Sequence, residues 1–137
     1  YLADNTDREY MNPEAYACLL GALAENGYED VTFNGFTSKD GTGAPSVTHF
    51  NGIAGDFRYL RTDKKIATLH IDTAPKDLDI ARQEILMDAF VKFGWRSFLS
   101  YDIIIDGKPF ILKKSKHMGH HHHHLHLNRK NFKPNYK

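Results

Sequence analysis

The spacing of apolar residues predicts a first helix near the start of the chain. Four of them recur at helical intervals: Ala15, Leu19, Leu20 and Leu23. Asn12-Pro13-Glu14 suits a helix start, because the Asn side chain can cap the helix, Pro fits the first turn and the acid faces the positive end of the dipole. Gly27 is placed to end this helix. Cys18 lies in the same apolar pattern, which favours a small core residue over a nucleophile.

A second helix is predicted over residues 80–93, with Gly94 as its stop. Its apolar positions can share one face: Ile80, Ile85, Leu86, Ala89, Phe90 and Phe93. The long amphipathic pattern makes this the most regular element of the chain.

Shorter apolar runs predict strands between and after these helices. They cover residues 31–33, 56–60, 66–71, 98–105, 109–112 and 122–127. Asp106-Gly107 is a strong signal for a tight hairpin between the fourth and fifth of them. Segments 34–48, 73–79 and 115–119 have the composition of loops and turns. Because helices and strands follow no regular βαβ rhythm, we expect an α+β domain with two main helices and an antiparallel sheet.

The length of 137 residues predicts a single domain over residues 1–137. Residues 1–11 are polar and are expected to form a lead-in. Residues 128–137 are expected to form a C-terminal tail, with Phe132 and Tyr136 packing it down. The chain begins with Tyr1, which suggests a processed product or a piece of a longer protein.

Composition narrows the classes of function. Lys and Arg number 18 against 17 Asp and Glu, a net charge of +1 that argues against a nucleic-acid partner, which would need a clustered basic excess. No apolar run is long enough for membrane insertion, and this chain contains no signal peptide. A single cysteine excludes an intramolecular disulfide and a cysteine-based zinc site.

The nine histidines are a marked excess, and they point to metal chemistry. A catalytic zinc site takes three nitrogen or carboxylate ligands and leaves a fourth position open. His49 and Asp56 in the first cluster, with one histidine from the segment 120–126, meet this requirement. Gly52 and Gly55 would let the chain turn so that His49 and Asp56 face one point. His124 and His126, two apart in a strand, would project to one face.

Each of these residues also has an ordinary interpretation. His49 alone is more often a satisfied loop histidine, and Asp56 alone is more often a cap or an ion-pair partner. The run His120 to His124 alone is most often an affinity tag, although Leu125 to Lys137 follow it. The spacing His-x-x-Gly-x-Ala-x-Asp together with a distal His-x-His is much more specific than either part.

The segment 49–56 matches the His-x-x-Gly-x-Ala-x-Asp signature of the D-alanyl-D-alanine peptidase group, which is related to the hedgehog domain and to penicillin-insensitive murein endopeptidases. His124-Leu125-His126 resembles its closing His-x-His. The segments 56–60, 93–95 and 121–127 resemble a phage-lysin-like and toxin-like branch, and the similarity spans about residues 12–134. The chain departs from many members at an upstream turn, where Thr37 stands in place of Arg. Arg58 or Arg61 could supply that charge.

The resemblance implies an α+β fold with one zinc held by His49, Asp56 and His126. It implies that His124 assists as a base or oxyanion stabiliser and that His121 lines the site. The loop 34–48 would form a wall for substrate. The implied reaction is hydrolysis of amide bonds in peptidoglycan stem peptides or cross-bridges, by a carboxypeptidase or endopeptidase.

The same resemblance suggests where such an enzyme would act. A lysin, a remodelling enzyme and an antibacterial toxin all fit, in a periplasmic or extracellular location, with an immunity protein as a partner in the toxin case. The alternative is a non-catalytic zinc-containing binding domain of the hedgehog type. A protein without metal, whose histidine run is artificial, remains a further alternative.

Overall fold

The computed structural model describes residues 1–3, 6–43 and 48–128. In that part of the chain the helices are α1 (Pro13–Asn26) and α2 (Ile80–Lys92), with a short 3₁₀ helix at Pro75–Asp77. The strands are β1 (Phe33–Gly35), β2 (Ala54–Phe57), β3 (Ser97–Ser100), β4 (Ile103–Ile105), β5 (Lys108–Phe110), β6 (Ser115–His117) and β7 (Leu125–Asn128). The expected packing of Phe132 and Tyr136 lies outside the described residues.

The main sheet has five strands in the order β1-β2-β7-β3-β6, and β4 and β5 form a separate hairpin. The pairs β1–β2, β2–β7 and β3–β7 are antiparallel. The expectation of an α+β domain with two main helices is confirmed. The sheet is mixed rather than fully antiparallel, however, because β6 pairs with β3 in parallel.

Both helices begin where the sequence predicts; α1 also ends as predicted, and α2 ends one residue early, at Lys92. The Asn12 side chain accepts hydrogen bonds from the backbone of Glu14 and Ala15, at 3.0 and 3.2 Å. Gly27 ends α1 in the left-handed conformation, with φ of 62°. α2 starts after Asp79, whose side chain caps Arg82 N at 3.2 Å.

The buried faces of the helices are narrower than expected. Leu20 on α1 is 47% exposed and Ile85 on α2 is 51% exposed, so neither belongs to the core. Cys18 is half-buried. A side chain at Gly21 would collide with the Phe93 ring, with 2.4 Å from Cβ to the nearest ring carbon. The absence of a side chain at Gly21 therefore lets α1 pack closely against the end of α2.

Aromatic residues join the sheet to α2. The Phe57 ring on β2 lies 5.4 Å from Phe90 on α2, and Phe90 lies 6.3 Å from Trp95. All three side chains are fully buried. Because β2 carries Asp56 beside Phe57, this core fixes the strand from which the candidate site is built.

Several strand predictions were wrong. Residues 66–71 form no strand: Ile66 is 48% exposed, while Leu69 and Ile71 are buried as single anchors. Residues 98–105 divide into β3 and β4, with a break at 101–102. The predicted loop 115–119 contains β6, whose polar residues at the sheet edge give no apolar alternation. The predicted strand 31–33 is confirmed only at Phe33.

The strands that carry the site are shorter or shifted. The predicted strand 56–60 is β2 at 54–57, and the predicted strand 122–127 is β7 at 125–128. The hairpin at Asp106-Gly107 is confirmed, since both residues have positive φ (50° and 76°) and join β4 to β5.

The N-terminal segment is bound to the fold rather than being a loose lead-in. Ala3 N donates to Phe33 O at 2.8 Å. Arg8 O accepts from Phe36 N at 2.7 Å, and Tyr10 exchanges two backbone hydrogen bonds with Thr37. These bonds lay residues 6–10 along the edge of the sheet, and we call these residues the N-terminal strap.

Candidate metal centre

Three residues from separate segments converge on one point. His49 ends the loop before β2, Asp56 lies within β2, and His126 lies within β7. Asp56 and His126 are opposite each other in the β2–β7 ladder. All three are buried, with exposed fractions of 1%, 7% and 3%. One ligand atom from each lies within 4.8 Å of the others, so the group could hold a metal ion.

The distances between these atoms fit a small metal. Asp56 Oδ1 lies 3.1 Å from His49 Nε2 and 2.9 Å from His126 Nδ1. His49 Nε2 lies 3.2 Å from His126 Nδ1. Ligands at about 2.0–2.1 Å from a tetrahedral zinc lie roughly 3.3 Å apart, so this triangle needs little adjustment to hold one.

The orientation of His49 is set by its other ring nitrogen. His49 Nδ1 lies 2.5 Å from the carbonyl oxygen of Phe36, which requires the proton on Nδ1 and leaves Nε2 as the nitrogen that faces the site. Thr37 supports the same turn, since its hydroxyl donates to His49 O at 2.9 Å and accepts from Gly52 N at 3.0 Å.

The two glycines of the first motif have different roles. Gly52 has φ of 69°, and a Cβ there would lie 2.1 Å from Asn12 N, so it makes the expected tight turn. Gly55 lies within β2 and makes no such turn, which corrects the sequence interpretation. A Cβ at Gly55 would lie 2.8 Å from the Phe36 ring, so this glycine permits close packing instead.

Asp56 is held as a carboxylate by its neighbours. Burial by itself raises the pKa of the Asp56 carboxyl, but the hydrogen bonds with His126 and His49 outweigh it and leave the pKa far below its usual range. Arg8 Nη2 adds a contact at 3.4 Å to Oδ2, the oxygen that does not face the histidines. Asp56 is therefore an anionic ligand at neutral pH.

His124 lies beside the three-residue group without belonging to it. Its Nε2 is 3.7 Å from Asp56 Oδ1. Burial lowers the pKa of His124 to about 4, so the imidazole is neutral at pH 7. Its Nδ1 is buried and has no hydrogen-bond partner among the described residues. His124 precedes β7, so its position next to His126 does not depend on strand alternation.

His121 lies next to His124, with 4.6 Å between ring centres. Its Nδ1 lies 3.0 Å from Gly119 O. Burial is the main cause that lowers the pKa of His121. The expectation that His121 lines the site agrees with this placement.

The histidine run is part of the fold rather than an appended tail. Ile71 N donates to His122 O at 2.8 Å, and the Tyr59 hydroxyl donates to His121 O at 2.6 Å. The ring of His123 stacks on His70 at 5.7 Å. These contacts disfavour an affinity tag as the explanation of residues 120–124.

The site opens into a cavity of about 980 Å³. His49, Asp56, His124 and His126 line it together with Leu99. On the solvent side it is lined by Ala3, Thr6, Asp7, Arg8, Asn34, Thr48, Arg58, Thr68, Met118, Gly119, His120 and His121. A cavity of this size can take an extended segment of several residues.

The structure assigns the cationic residues of the cleft. Arg58 lines the cavity, with Nε donating to Asn34 Oδ1 at 3.0 Å. Arg61 is paired with Asp63 at 2.8 Å and does not line it. The cation that contacts Asp56 is Arg8, which sequence reasoning missed because the strap has no apolar pattern or motif.

No protein-family model, curated protein or solved structure matches this chain. Among the described residues, no helix is both long and apolar enough to cross a membrane. The fold and the site therefore define an α+β domain with a candidate metal centre.

Proposed function

We propose that this protein is a zinc-dependent peptidase that hydrolyses amide bonds in peptidoglycan peptides. The observation that carries the proposal is the convergence of His49, Asp56 and His126 at the base of an open cavity, with a neutral histidine beside them. Two imidazoles and one carboxylate are a common protein ligand set of catalytic zinc.

The donor set suits zinc and other late first-row transition metals rather than magnesium or calcium. The ligand atoms are two imidazole nitrogens and one carboxylate oxygen, and the carboxylate is already ionised. Magnesium and calcium prefer sites made of oxygens, whereas imidazole suits zinc and other late transition metals. The backbone contact to His49 Nδ1 is the kind of outer contact that orients a metal-binding histidine.

The chain supplies the remaining groups for hydrolysis. Bound zinc would supply Lewis-acid activation of water and of the scissile carbonyl. His124 accepts a proton from the attacking water at Nε2, the nitrogen on the side of Asp56, and passes it to the amine that leaves when the amide C–N bond breaks. Because the pKa of His124 is about 4, the imidazole is a weak base. It therefore gives up the accepted proton readily at neutral pH. His121 packs against His124 and limits its rotation.

The substrate class follows from the resemblance of the two histidine motifs to peptidases of the cell wall, and the cavity is consistent with it. Its volume is large enough for part of a peptide stem or cross-bridge. Such a substrate places the enzyme in the periplasm or outside the cell, as a lysin, a remodelling enzyme or a toxin. A toxin would require an immunity protein as partner.

Digestion of purified sacculi by the zinc-loaded protein tests the function, with fragments identified by mass spectrometry. We expect new peptide termini that are lost in Asp56→Ala and after chelation. One tightly bound zinc per chain without any fragments, across sacculi of several chemotypes, would replace this proposal with the non-catalytic binding domain.

A further inference from the structure

Arg8 is delivered to the cavity by the N-terminal strap. Its backbone oxygen is bonded to Phe36 N at 2.7 Å, and its own N–H donates to Thr6 Oγ1 at 3.2 Å. The side chain is 18% exposed and lines the same cavity as the candidate metal ligands. The backbone of Arg8 is therefore fixed to the fold and its side chain lies in the cavity, although Arg8 is far from the two histidine motifs in sequence.

Gly35 gives the Arg8 side chain its path. A Cβ at Gly35 would lie 3.1 Å from both Cβ and Nε of Arg8 and 2.7 Å from Thr6 Oγ1. The Arg8 side chain thus passes over β1 at Gly35, the residue of this strand that lacks a side chain. This close approach brings the guanidinium to Asp56 rather than to solvent.

The guanidinium is used only in part by the protein. Among the described residues its one hydrogen bond is from Nη2 to Asp56 Oδ2, at 3.4 Å. An arginine has five N–H donors in a planar fork that matches a carboxylate. The remaining donors of Arg8 have no partner in the described part of the chain, so they can bind a ligand in the cavity.

The charge of the cavity favours an anionic ligand. Arg8 and Arg58 line the cavity together with Asp7 and Asp56, so the formal charges of these four residues cancel. A divalent ion on the three-residue group would leave an excess of positive charge. A peptide that carries a free carboxylate close to the scissile bond is complementary to that field.

We propose that Arg8 determines substrate specificity by binding a carboxylate of the peptide while Nη2 holds Asp56 Oδ2. The inference rests on the proposed function for the nature of the substrate. It assigns a positively charged subsite on the strap side of the cavity. Arg61, which is paired with Asp63 outside the cavity, provides a matched control for the loss of one arginine.

The test compares binding of a stem pentapeptide, L-Ala-γ-D-Glu-L-Lys-D-Ala-D-Ala, with forms amidated at the D-Glu α-carboxylate or at the C-terminus. Dissociation constants are measured by calorimetry on the zinc-loaded protein, and mass spectrometry checks that the peptide stays intact. Where it is cleaved, KM is compared instead. The variants are Arg8→Gln, Arg8→Lys and Arg61→Gln.

We expect the wild type and Arg61→Gln to prefer one free carboxylate by about tenfold, the size of a charge-assisted hydrogen bond. Arg8→Gln should lose this preference. Arg8→Lys should keep only part of it, because it retains the charge and loses the fork. If Arg8→Gln does not fold, Arg8→Lys decides: a preference equal to that of the wild type overturns the proposal.

Two further results would also overturn it: an unchanged preference in Arg8→Gln, or a wild type that does not distinguish or does not bind the peptides. The proposed function is judged separately by digestion of sacculi. Cleavage without a carboxylate preference removes only the role of Arg8. A preference without cleavage supports the Arg8 subsite and counts against the peptidase.

Discussion

Asp56 and His126 face each other across the β2–β7 ladder, with Asp56 Oδ1 2.9 Å from His126 Nδ1. Directly opposed residues of an antiparallel pair have Cβ atoms about 4.5–5.5 Å apart, so the sheet itself sets this separation. His49 then needs only the turn at Gly52 to complete the group. Two of the three candidate ligands are thus held by paired strands of the main sheet.

Replacing any of the three residues should remove the tight metal site. We expect one zinc per wild-type chain. Zinc affinity should fall in Asp56→Ala, His49→Ala and His126→Ala by more than the roughly 10–100-fold that is typical for loss of an outer-shell partner. Isothermal titration against a competing chelator measures this difference.

The matched control for that experiment is His70→Ala. His70 is exposed and packs on the histidine run without lining the cavity. It should leave the tight site unchanged. Equal loss in His70→Ala and Asp56→Ala would show that the histidine run, and not the buried group, binds the zinc.

The sequence was informative where local chemistry decides structure. The caps of α1 and the hairpin at Asp106-Gly107 follow from residue types at short spacing. The grouping of His49, Asp56 and His126 was expected from two separate motifs and their resemblance to a known family. The sequence was uninformative where pairing between distant segments decides which residues form a strand. β6 is polar and becomes a strand only because β3 offers it an edge.

The missing part of the candidate site has the same cause. Arg8 lies in a polar segment, and its contact with Asp56 spans 48 positions of the chain. Nothing in the spacing of the strap points to β1. The one local signal is Gly35, which has no side chain and so allows the strap to approach closely. This role can be recognised only once the position of the strap is known.

Removal of metal should destabilise the protein. A ligand that binds only the folded state adds about 4 kcal/mol to the free energy of unfolding at 1,000 times its dissociation constant. We therefore expect chelation to lower the Tm of the wild type by several degrees. Asp56→Ala should show no such change on chelation, and a wild-type Tm that ignores chelation would contradict a tight site.

Gly52→Ala should be strongly destabilising. Gly52 has φ of 69°, and a Cβ there would lie 2.1 Å from the backbone nitrogen of Asn12, so both the turn and the start of α1 would shift. Backbone strain and overpacking each cost about 1–3 kcal/mol. Chemical denaturation measures the loss, with Gly119→Ala as control, because nothing lies within 4 Å of a Cβ there. Equal stability of the two variants would refute the close contact.

The burial of His124 should make the metal-free protein less stable in mild acid. Burial lowers the pKa of His124 from 6.5 to about 4 in the folded state. Between these values the unfolded chain binds a proton that the folded chain does not, so the free energy of unfolding falls as the pH drops from about 6.5 to about 4. At about 1.4 kcal/mol per pKa unit, His124 contributes about 3–4 kcal/mol to this fall over the whole window.

Denaturant titrations at pH 7.5 and pH 5, with chelator present, measure the effect. His124→Gln should lose less stability between the two pH values than the wild type does. Some dependence should persist, because burial also lowers the pKa of His121 and His123. Asp56 acts only at lower pH, since its pKa is lowered and its protonation destabilises the fold below this window. An identical slope in His124→Gln would mean that His124 is not held neutral beside Asp56.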